Sequence, residues 1–302
     1  MERRSDNRAD IRDFLARRRA QLTPEQVGLP TSGRRRVPGL RREEVAVLAG
    51  VSTEWYTRLE KGHISGVSED VLDAVARTLH LDDDERTYLF DLAKAAQPSP
   101  APRRRRKAVD VPPRVQWLLD SMTLSAAFVT NGRLDIVATN ALARALFAPV
   151  FDSPTVGARG RPNFARFYLL DDGSQDFVAD WDGAVDITAA LLRAEAGRYP
   201  NDAALRDLIG ELSTLSREFR TRWASHNVRI HHGGVKRLHH PEAGDLELTY
   251  QPLDLPMSAS EAHSLTIYTA EPGSPSEDGL RLLASWAATS APHPPAHRST
   301  PN

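Results

Sequence analysis

The chain has 302 residues, of which 40% are hydrophobic and 26% charged, and this length and composition are those of a globular protein with two ordinary domains. No apolar run approaches the roughly 18 residues that cross a bilayer, and the N-terminal segment lacks the apolar core of a signal peptide. We therefore expect a cytoplasmic protein with no membrane partner. The sequence has no cysteine, which excludes disulfides, thiolate metal sites and cysteine nucleophiles.

The formal net charge of −1 conceals a difference between the two halves of the chain. Residues 1–107 contain 22 Lys and Arg against 17 Asp and Glu, whereas the remaining residues contain 17 against 23. A basic N-terminal part followed by an acidic remainder suggests that the two parts have separate functions.

The N-terminal part is predicted to be helical. Between Ile11 and Ala95 the apolar residues recur at helical spacing, which indicates five short helices and no strand. Three helix starts carry capping residues: Ser52, Ser68 with two acidic residues behind it, and Asp82 with a glutamate three residues later. We expect an all-α five-helix bundle.

The segment from Gly39 to Gly62, GLRREEVAVLAGVSTEWYTRLEKG, predicts a helix-turn-helix within this bundle. One helix stops at Gly50, Val51 turns inward, and Ser52 caps a second helix. At about 100° per residue, this second helix has one apolar and one hydrogen-bonding face. The apolar face consists of Trp55, Tyr56 and Leu59.

A helix with such a polar face fits the major groove of double-stranded DNA, where residues near its N-terminus reach deepest. The predicted base contacts are Thr53, Glu54, Thr57 and Arg58. Glu54 can accept from a cytosine amino group, and Arg58 can reach a guanine or a phosphate. The predicted phosphate contacts are Arg34, Arg35, Arg36, Arg41, Arg42 and Lys61, which should make affinity depend strongly on salt. The alternative is a charged helix face that is only solvated.

Two proline-rich stretches divide the chain. The segment QPSPAPRRRRKAVDVPP has five prolines and five consecutive cations, so it predicts an exposed linker. A polar, proline-rich tail begins near Ser290. The predicted boundaries are a DNA-binding domain at 1–96, a linker at 97–113, a ligand-binding domain at 114–289 and a disordered tail at 290–302.

The second domain is predicted to combine strands and helices. Two β-branched runs flank Asn131-Gly132 and indicate a hairpin within residues 126–139. Helical patterns follow, including roughly Asn163 to Arg222. Further strands are predicted at Val228–His231, Val235–Leu238, Leu246–Gln251 and Ser264–Thr269. An antiparallel sheet with a helical insertion is an α+β arrangement that resembles a PAS domain.

Longer stretches of the sequence resemble a known family. RRRVPGLRREEVAVLAGVSTEWYTRLEKG and VSEDVLDAVARTLHLDDDERTYLFDLA resemble the XRE/Cro-like regulators of actinobacteria, and TNGRLDIVATNALARALF, FARFYLLDD and VKRLHHPEAGDLELTYQPLDLP resemble their MmyB-like C-terminal domain. The resemblance implies a PAS-like domain whose pocket holds a fatty acid in some relatives. It also implies that Glu60 pairs with an arginine on the first helix of the helix-turn-helix, without indicating which one.

Residues for a small apolar ligand are predicted in the second domain. The aromatic candidates are Phe164, Phe167, Trp181 and Trp223, and the polar candidates for a head group are Asn140, Asn163 and Arg166. Each has a structural alternative: Asn140 is well placed to cap a helix, the aromatic residues can form core, and Arg166 can reach solvent.

From these features we expect a homodimeric, sequence-specific transcription regulator that requires no cofactor and binds an operator and a small ligand such as a fatty acid. Two alternatives remain: a C-terminal domain that only contacts other proteins, and an enzyme with an appended DNA-binding module. No familiar catalytic motif supports an enzyme. Histidines cluster between His226 and His240, but adjacent strand residues point to opposite faces, so no metal site is predicted.

Overall fold

The computed structural model of the chain describes residues 3–30, 39–97, 111–156, 160–225, 228, 233–257 and 262–290. The predicted phosphate contacts Arg34, Arg35 and Arg36, most of the predicted linker and the tail beyond Ser290 lie outside these residues. The described parts of 1–107 and 185–231 form one compact unit, here called unit 1, and those of 108–184 and 232–302 form unit 2. The predicted domain boundaries stay a prediction.

The N-terminal part of unit 1 is helical, as the apolar spacing predicts. Its helices are α1 (Arg3–Gln21), α2 (Arg42–Leu48), α3 (Thr53–Glu60), α4 (Glu69–Thr78) and α5 (Asp83–Ala96). The predicted capping residues occupy the N-cap positions of α3, α4 and α5, although the Ser68 side chain makes no capping hydrogen bond at α4. At α5 the Asp82 and Glu85 side chains each accept the other's backbone N–H. These helices bury one core that contains Phe14, Val45, Tyr56 and Leu89, and removing such side chains from water stabilises the bundle.

The elements that follow the linker combine helices and strands. In chain order they are α6 (Pro113–Ser121), β1 (Ala126–Asn131), β2 (Ile136–Thr139), α7 (Ala141–Leu146), α8 (Ala148–Phe151), α9 (Phe164–Leu170), α10 (Gly173–Phe177), α11 (Trp181–Arg198), α12 (Ala203–Leu215), α13 (Arg217–Ala224), β3 (Gly234–His240), β4 (Gly244–Asp254), β5 (His263–Thr269) and α14 (Pro275–Ser290). None of the helices among the described residues is long and apolar enough to cross a membrane.

The strands of unit 2 form one antiparallel sheet with the order β2-β1-β5-β4-β3. The α+β, PAS-like fold class predicted for this part is therefore confirmed. The predicted hairpin is β1 and β2, but its loop is longer than an Asn-Gly turn. Asn131 closes it by hydrogen bonds to Asp135, and the left-handed residue is Leu134, with φ 64°.

Alternate residues of β1 point to the two faces of this sheet. Ala127 and Val129 pack with Val115 and Leu119 of α6. Phe128 instead contacts aromatic rings of α7–α9, which cover the other face together with α14. The sheet therefore has an aliphatic side and an aromatic side.

The segment from Val185 to Val228 belongs to unit 1 by its contacts, although the chain is in unit 2 before and after it. It contains most of α11 and all of α12 and α13. The prediction of a strand at Val228–His231 is wrong at Val228. This residue is outside any strand and lies fully buried in the core of the helical bundle. A β-branched residue has the same local pattern in a strand and in a helical core.

Candidate nucleic-acid interface and ligand-binding core

The polar face of α3 is exposed, as its periodicity predicts. Thr53, Glu54 and Arg58 are exposed and Thr57 is half-buried. On the other side Tyr56 and Leu59 are buried in the bundle. Three of the four predicted base contacts therefore lie on the open surface of the helix, and the fourth lies at its margin.

The turn before α3 is held by backbone geometry. Gly50 has φ 69°, a left-handed backbone conformation that residues other than glycine rarely adopt. The Val51 N–H then donates to the Ala46 carbonyl at 2.9 Å, and the Val51 side chain packs against the core. The Ser52 hydroxyl accepts from the Trp55 N–H at 3.1 Å and begins the helix. The orientation of α3 relative to α2 thus follows from the left-handed Gly50 and the three capping and turn contacts after it.

The far end of α3 is held by a buried ion-pair network at Glu60, whose exposure is only 1%. Arg19 of α1 donates to both carboxylate oxygens, at 2.7 and 3.1 Å, and Arg42 of α2 approaches one of them at 2.8 Å. Burial opposes ionisation of Glu60, but the two arginines outweigh it and hold the pKa of this carboxyl below its ordinary value. Glu60 therefore joins three helices instead of facing DNA.

The sequence left open which arginine on the first helix of the helix-turn-helix pairs with Glu60. The network shows that this arginine is Arg42, on α2. It also contains Arg19, which sequence reasoning missed because it lies 41 residues before its partner. The Arg19 guanidinium additionally donates to the Leu40 carbonyl at 2.6 Å, just ahead of α2. A bidentate arginine of this kind constrains geometry more strongly than a lysine could.

The other predicted phosphate contacts that the structure describes lie at helix ends. Arg41 is exposed beside Glu43, with 3.3 Å between their charged groups, and Lys61 is exposed at the end of α3. The Arg42 side chain is 48% exposed although it pairs with Glu60. A surface pocket of about 360 Å³ lies between α3 and the start of α4, lined in part by Arg58, His63, Ser65 and Ser68. The sequence analysis did not predict the last three as DNA contacts.

Unit 2 contains a cluster of aromatic rings against the sheet, here called the aromatic core. Phe128 lies 4.9 Å from Phe164, and Phe147 lies 5.1 Å from Tyr268, measured between ring centroids. The remaining members are Phe167, Tyr168, Phe177 and Tyr250. Phe164 and Phe167 were predicted as ligand contacts, and the structure places both in this core.

The two predicted asparagines cap helices and use their amide groups in the fold. The Asn140 oxygen accepts from the N–H groups of Ala143 and Ala127, and its nitrogen donates to the carbonyls of Met122 and Ser125. Asn163 caps α9 and donates to Arg133 and Asp135. Since Asn140 already makes the four hydrogen bonds of an amide, the structural alternative describes it better than a head-group contact does.

Of the remaining predicted ligand residues, two belong to unit 2 and one to unit 1. Trp181 donates its indole N–H to the Tyr168 carbonyl at 2.9 Å and so borders the aromatic core. Arg166 is half-buried on α9. Trp223 belongs to unit 1, where it stacks on Phe219 with 5.2 Å between ring centroids.

Comparison with known families agrees with this architecture. Residues 111–283, more than half of the chain, match the model of the MmyB-like transcription regulator ligand binding domain. The chain belongs to the MmyB-like transcription regulators. Residues 10–89 match a helix-turn-helix domain, which confirms the resemblance seen in the sequence, and none of the curated proteins compared with the chain matches it. These families describe a DNA-binding regulator with a ligand-binding domain.

This MmyB-like regulator has a cation beside its aromatic core that sequence reasoning missed. The Lys236 ammonium group donates to the Tyr168 hydroxyl at 3.2 Å and lies 5.1 Å from the centre of that ring. Burial raises the pKa of Tyr168 and of Tyr268, and Lys236 partly offsets the shift at Tyr268. Lys236 is the only lysine after Lys107, and this rarity in an arginine-rich chain was the available signal.

The two histidines of the predicted cluster that the structure describes in this MmyB-like regulator have structural partners. His240 is buried, with Nε2 donating to the Ala145 carbonyl at 3.1 Å and Nδ1 accepting from two backbone N–H groups. His239 pairs with Asp245. Among the described residues no group of three side chains could hold a metal ion; His226, His231 and His232 lie outside them.

Proposed function

We propose that this MmyB-like regulator acts as a homodimer and places α3 in the major groove of a two-fold-related operator. The observation that carries the proposal is the exposed polar face of Thr53, Glu54 and Arg58 on a helix whose ends are held by Ser52 and Glu60. A rigidly oriented helix can select base edges, because a wrong base then leaves donors and acceptors unpaired. Arg41, Lys61 and the 360 Å³ pocket beside Arg58 are available for phosphates.

The operator proposal predicts a symmetric site. We expect duplexes selected by the purified chain from a random-sequence pool to contain an inverted repeat whose half-site centres lie about 34–36 Å apart, with two chains bound per duplex. Sequencing of the selected pool and the mass of the complex measure both quantities. An asymmetric consensus bound by one chain would contradict the homodimer while leaving sequence-specific binding intact.

For unit 2 we propose a small apolar ligand with an acidic head, such as a fatty acid. The aromatic core supplies an apolar surface, and Lys236 with the Tyr168 hydroxyl supplies a cation and a donor at its edge. A carboxylate accepts charge-assisted hydrogen bonds from such groups. Arg166, the sequence-based candidate for this role, lies half-buried on α9.

Palmitate and hexadecanol test this proposal, because the two probes share a chain and differ in the head group. We expect Lys236→Met in the full chain to weaken palmitate binding about tenfold, the value of one charged hydrogen bond, and to leave hexadecanol binding unchanged. The shift of the melting temperature with probe concentration measures both affinities.

Arg237→Met is the matched control, since Arg237 neighbours Lys236 on β3 but pairs with Glu247 on the surface at 2.7 Å. This variant should bind palmitate like the unsubstituted chain. Native mass spectrometry of the full chain, compared with denaturing conditions, would identify any ligand carried through purification. A melting temperature unchanged by either probe, with a bare protein mass, would contradict the ligand proposal and favour a domain that contacts proteins.

A further inference from the structure

A buried arginine that the proposed function does not use lies where α11 packs on the helical bundle. Arg193 is only 1% exposed. Its guanidinium lies 3.8 Å from the Asp10 carboxylate of α1 and 4.0 Å from the ring centre of Trp223, and it also donates to the Trp223 carbonyl and hydrogen bonds to Tyr88 of α5. Burying a guanidinium is costly unless its donors are paired, so these contacts specify one position of α11.

Further contacts hold α11 and α13 on the same two helices. Arg17 of α1 donates to the Ala224 carbonyl at the end of α13. Arg198 of α11 and Asp91 of α5 also form an ion pair at 3.1 Å, but this pair is partly exposed and should contribute little to holding α11. Gly197 packs so closely on Tyr88 that a Cβ atom would lie 2.5 Å from its ring. The segment that the family model assigns to the ligand-binding domain is therefore part of the same compact unit as the DNA-binding helices.

Helix α1 is held on two opposite faces. At about 100° per residue, Asp10 and Arg17 lie within about 20° of each other, whereas Arg19 lies about 180° from Asp10. The first face contacts α11 and α13. The second face holds Glu60 at the end of α3. Because both faces of α1 are packed, a shift of α1 that follows a change in its contacts with α11 and α13 also moves Arg19 and its contact with Glu60.

We propose that α1 relays the position of α11 to the recognition helix α3, with Arg193 as the positioning residue. The proposal rests on DNA binding through α3. Helix α11 begins at Trp181 in unit 2 and continues into unit 1. The chain therefore passes from unit 2 to the contact of Arg193 with α1 within one helix. A coupling free energy between the two domains requires such an element, whose position both domains influence.

Arg193→Met and Arg198→Met in the full chain test the relay. Both make the same chemical change on α11, but Arg198 is 43% exposed and its pair is expected to contribute little. We expect Arg193→Met to make amide hydrogen exchange in α1 and α3 about tenfold faster and to lower the ratio of operator to nonspecific DNA affinity about tenfold, within the usual range of coupling. The operator probe is the duplex selected by the unsubstituted chain. Arg198→Met should change neither quantity by more than about twofold.

A purely local role of Arg193 would confine faster exchange to α11–α13 and leave DNA selectivity unchanged, and this result would overturn the relay. If Arg193→Met does not fold, Asp10→Asn provides the same two readouts, because it keeps Arg193 and weakens the contact of Arg193 with α1. If the unsubstituted chain selects no duplex, the proposed operator binding fails, whereas the exchange of α3 amides still decides the relay.

Discussion

Replacing Thr53, Glu54 and Thr57 together by alanine is expected to abolish sequence preference while the chain remains folded and still binds DNA weakly. Each well-formed base contact contributes about 1–3 kcal/mol of discrimination, so the loss of three should lower the ratio of operator to nonspecific affinity by about 100-fold or more. The folded state should persist because none of the three side chains is buried in the core. The predicted phosphate contacts are unchanged in this variant and should support nonspecific binding.

Titration of the selected duplex and of an unrelated duplex at one salt concentration measures this ratio. The matched control is Asp83→Ala with Thr87→Ala, two exposed positions of similar chemistry on α5, which should retain the full ratio. A triple variant that protects the same site with unchanged affinity would show that α3 is not the recognition helix. Hydrogen exchange of α4 and α5 would show that the bundle is intact.

Substituting Glu60 by glutamine is expected to lower the free energy of unfolding by about 3 kcal/mol at neutral pH, the lower end of the effect of removing one partner from a buried ion pair. The loss arises because Arg19, whose side chain is 15% exposed, would keep its charge without a carboxylate beside it. Denaturant unfolding at pH 7 measures it. Glu43→Gln is the control, since Glu43 pairs with Arg41 on the surface and should contribute less than about 1 kcal/mol.

The effect of Glu60→Gln should depend on pH in a defined direction. Because the folded state lowers the pKa of Glu60, the carboxylate contributes its full stabilisation above its unfolded pKa of about 4.3 and loses it as the pH falls through the lower folded value. The difference in unfolding free energy between the unsubstituted chain and Glu60→Gln should therefore shrink below about pH 4. A difference that stays constant into acid would mean that the charge of Glu60 is not what stabilises α3.

The helix-turn-helix could be predicted because its signals are local. The Gly50 turn, the Ser52 cap and the Asp82–Glu85 capping box each act within about one helical turn, and the structure forms all three. The alternation of polar and apolar residues in α3 likewise predicted its exposed face. The PAS-like sheet was predicted from strand patterns, but Val228 shows that a short β-branched run does not distinguish a strand from a buried position between helices.

The sequence by itself determined the two domain types, the helix α3 and its outward face, because periodicity and capping are set by neighbouring residues. Only the tertiary structure decided that Arg19 and Arg42 share Glu60, that Lys236 lies beside Tyr168, and that Arg193 is buried against α1. These pairings join residues that are far apart in the chain. The partner of each charged side chain depends on how whole helices and strands pack together, which no local sequence pattern encodes.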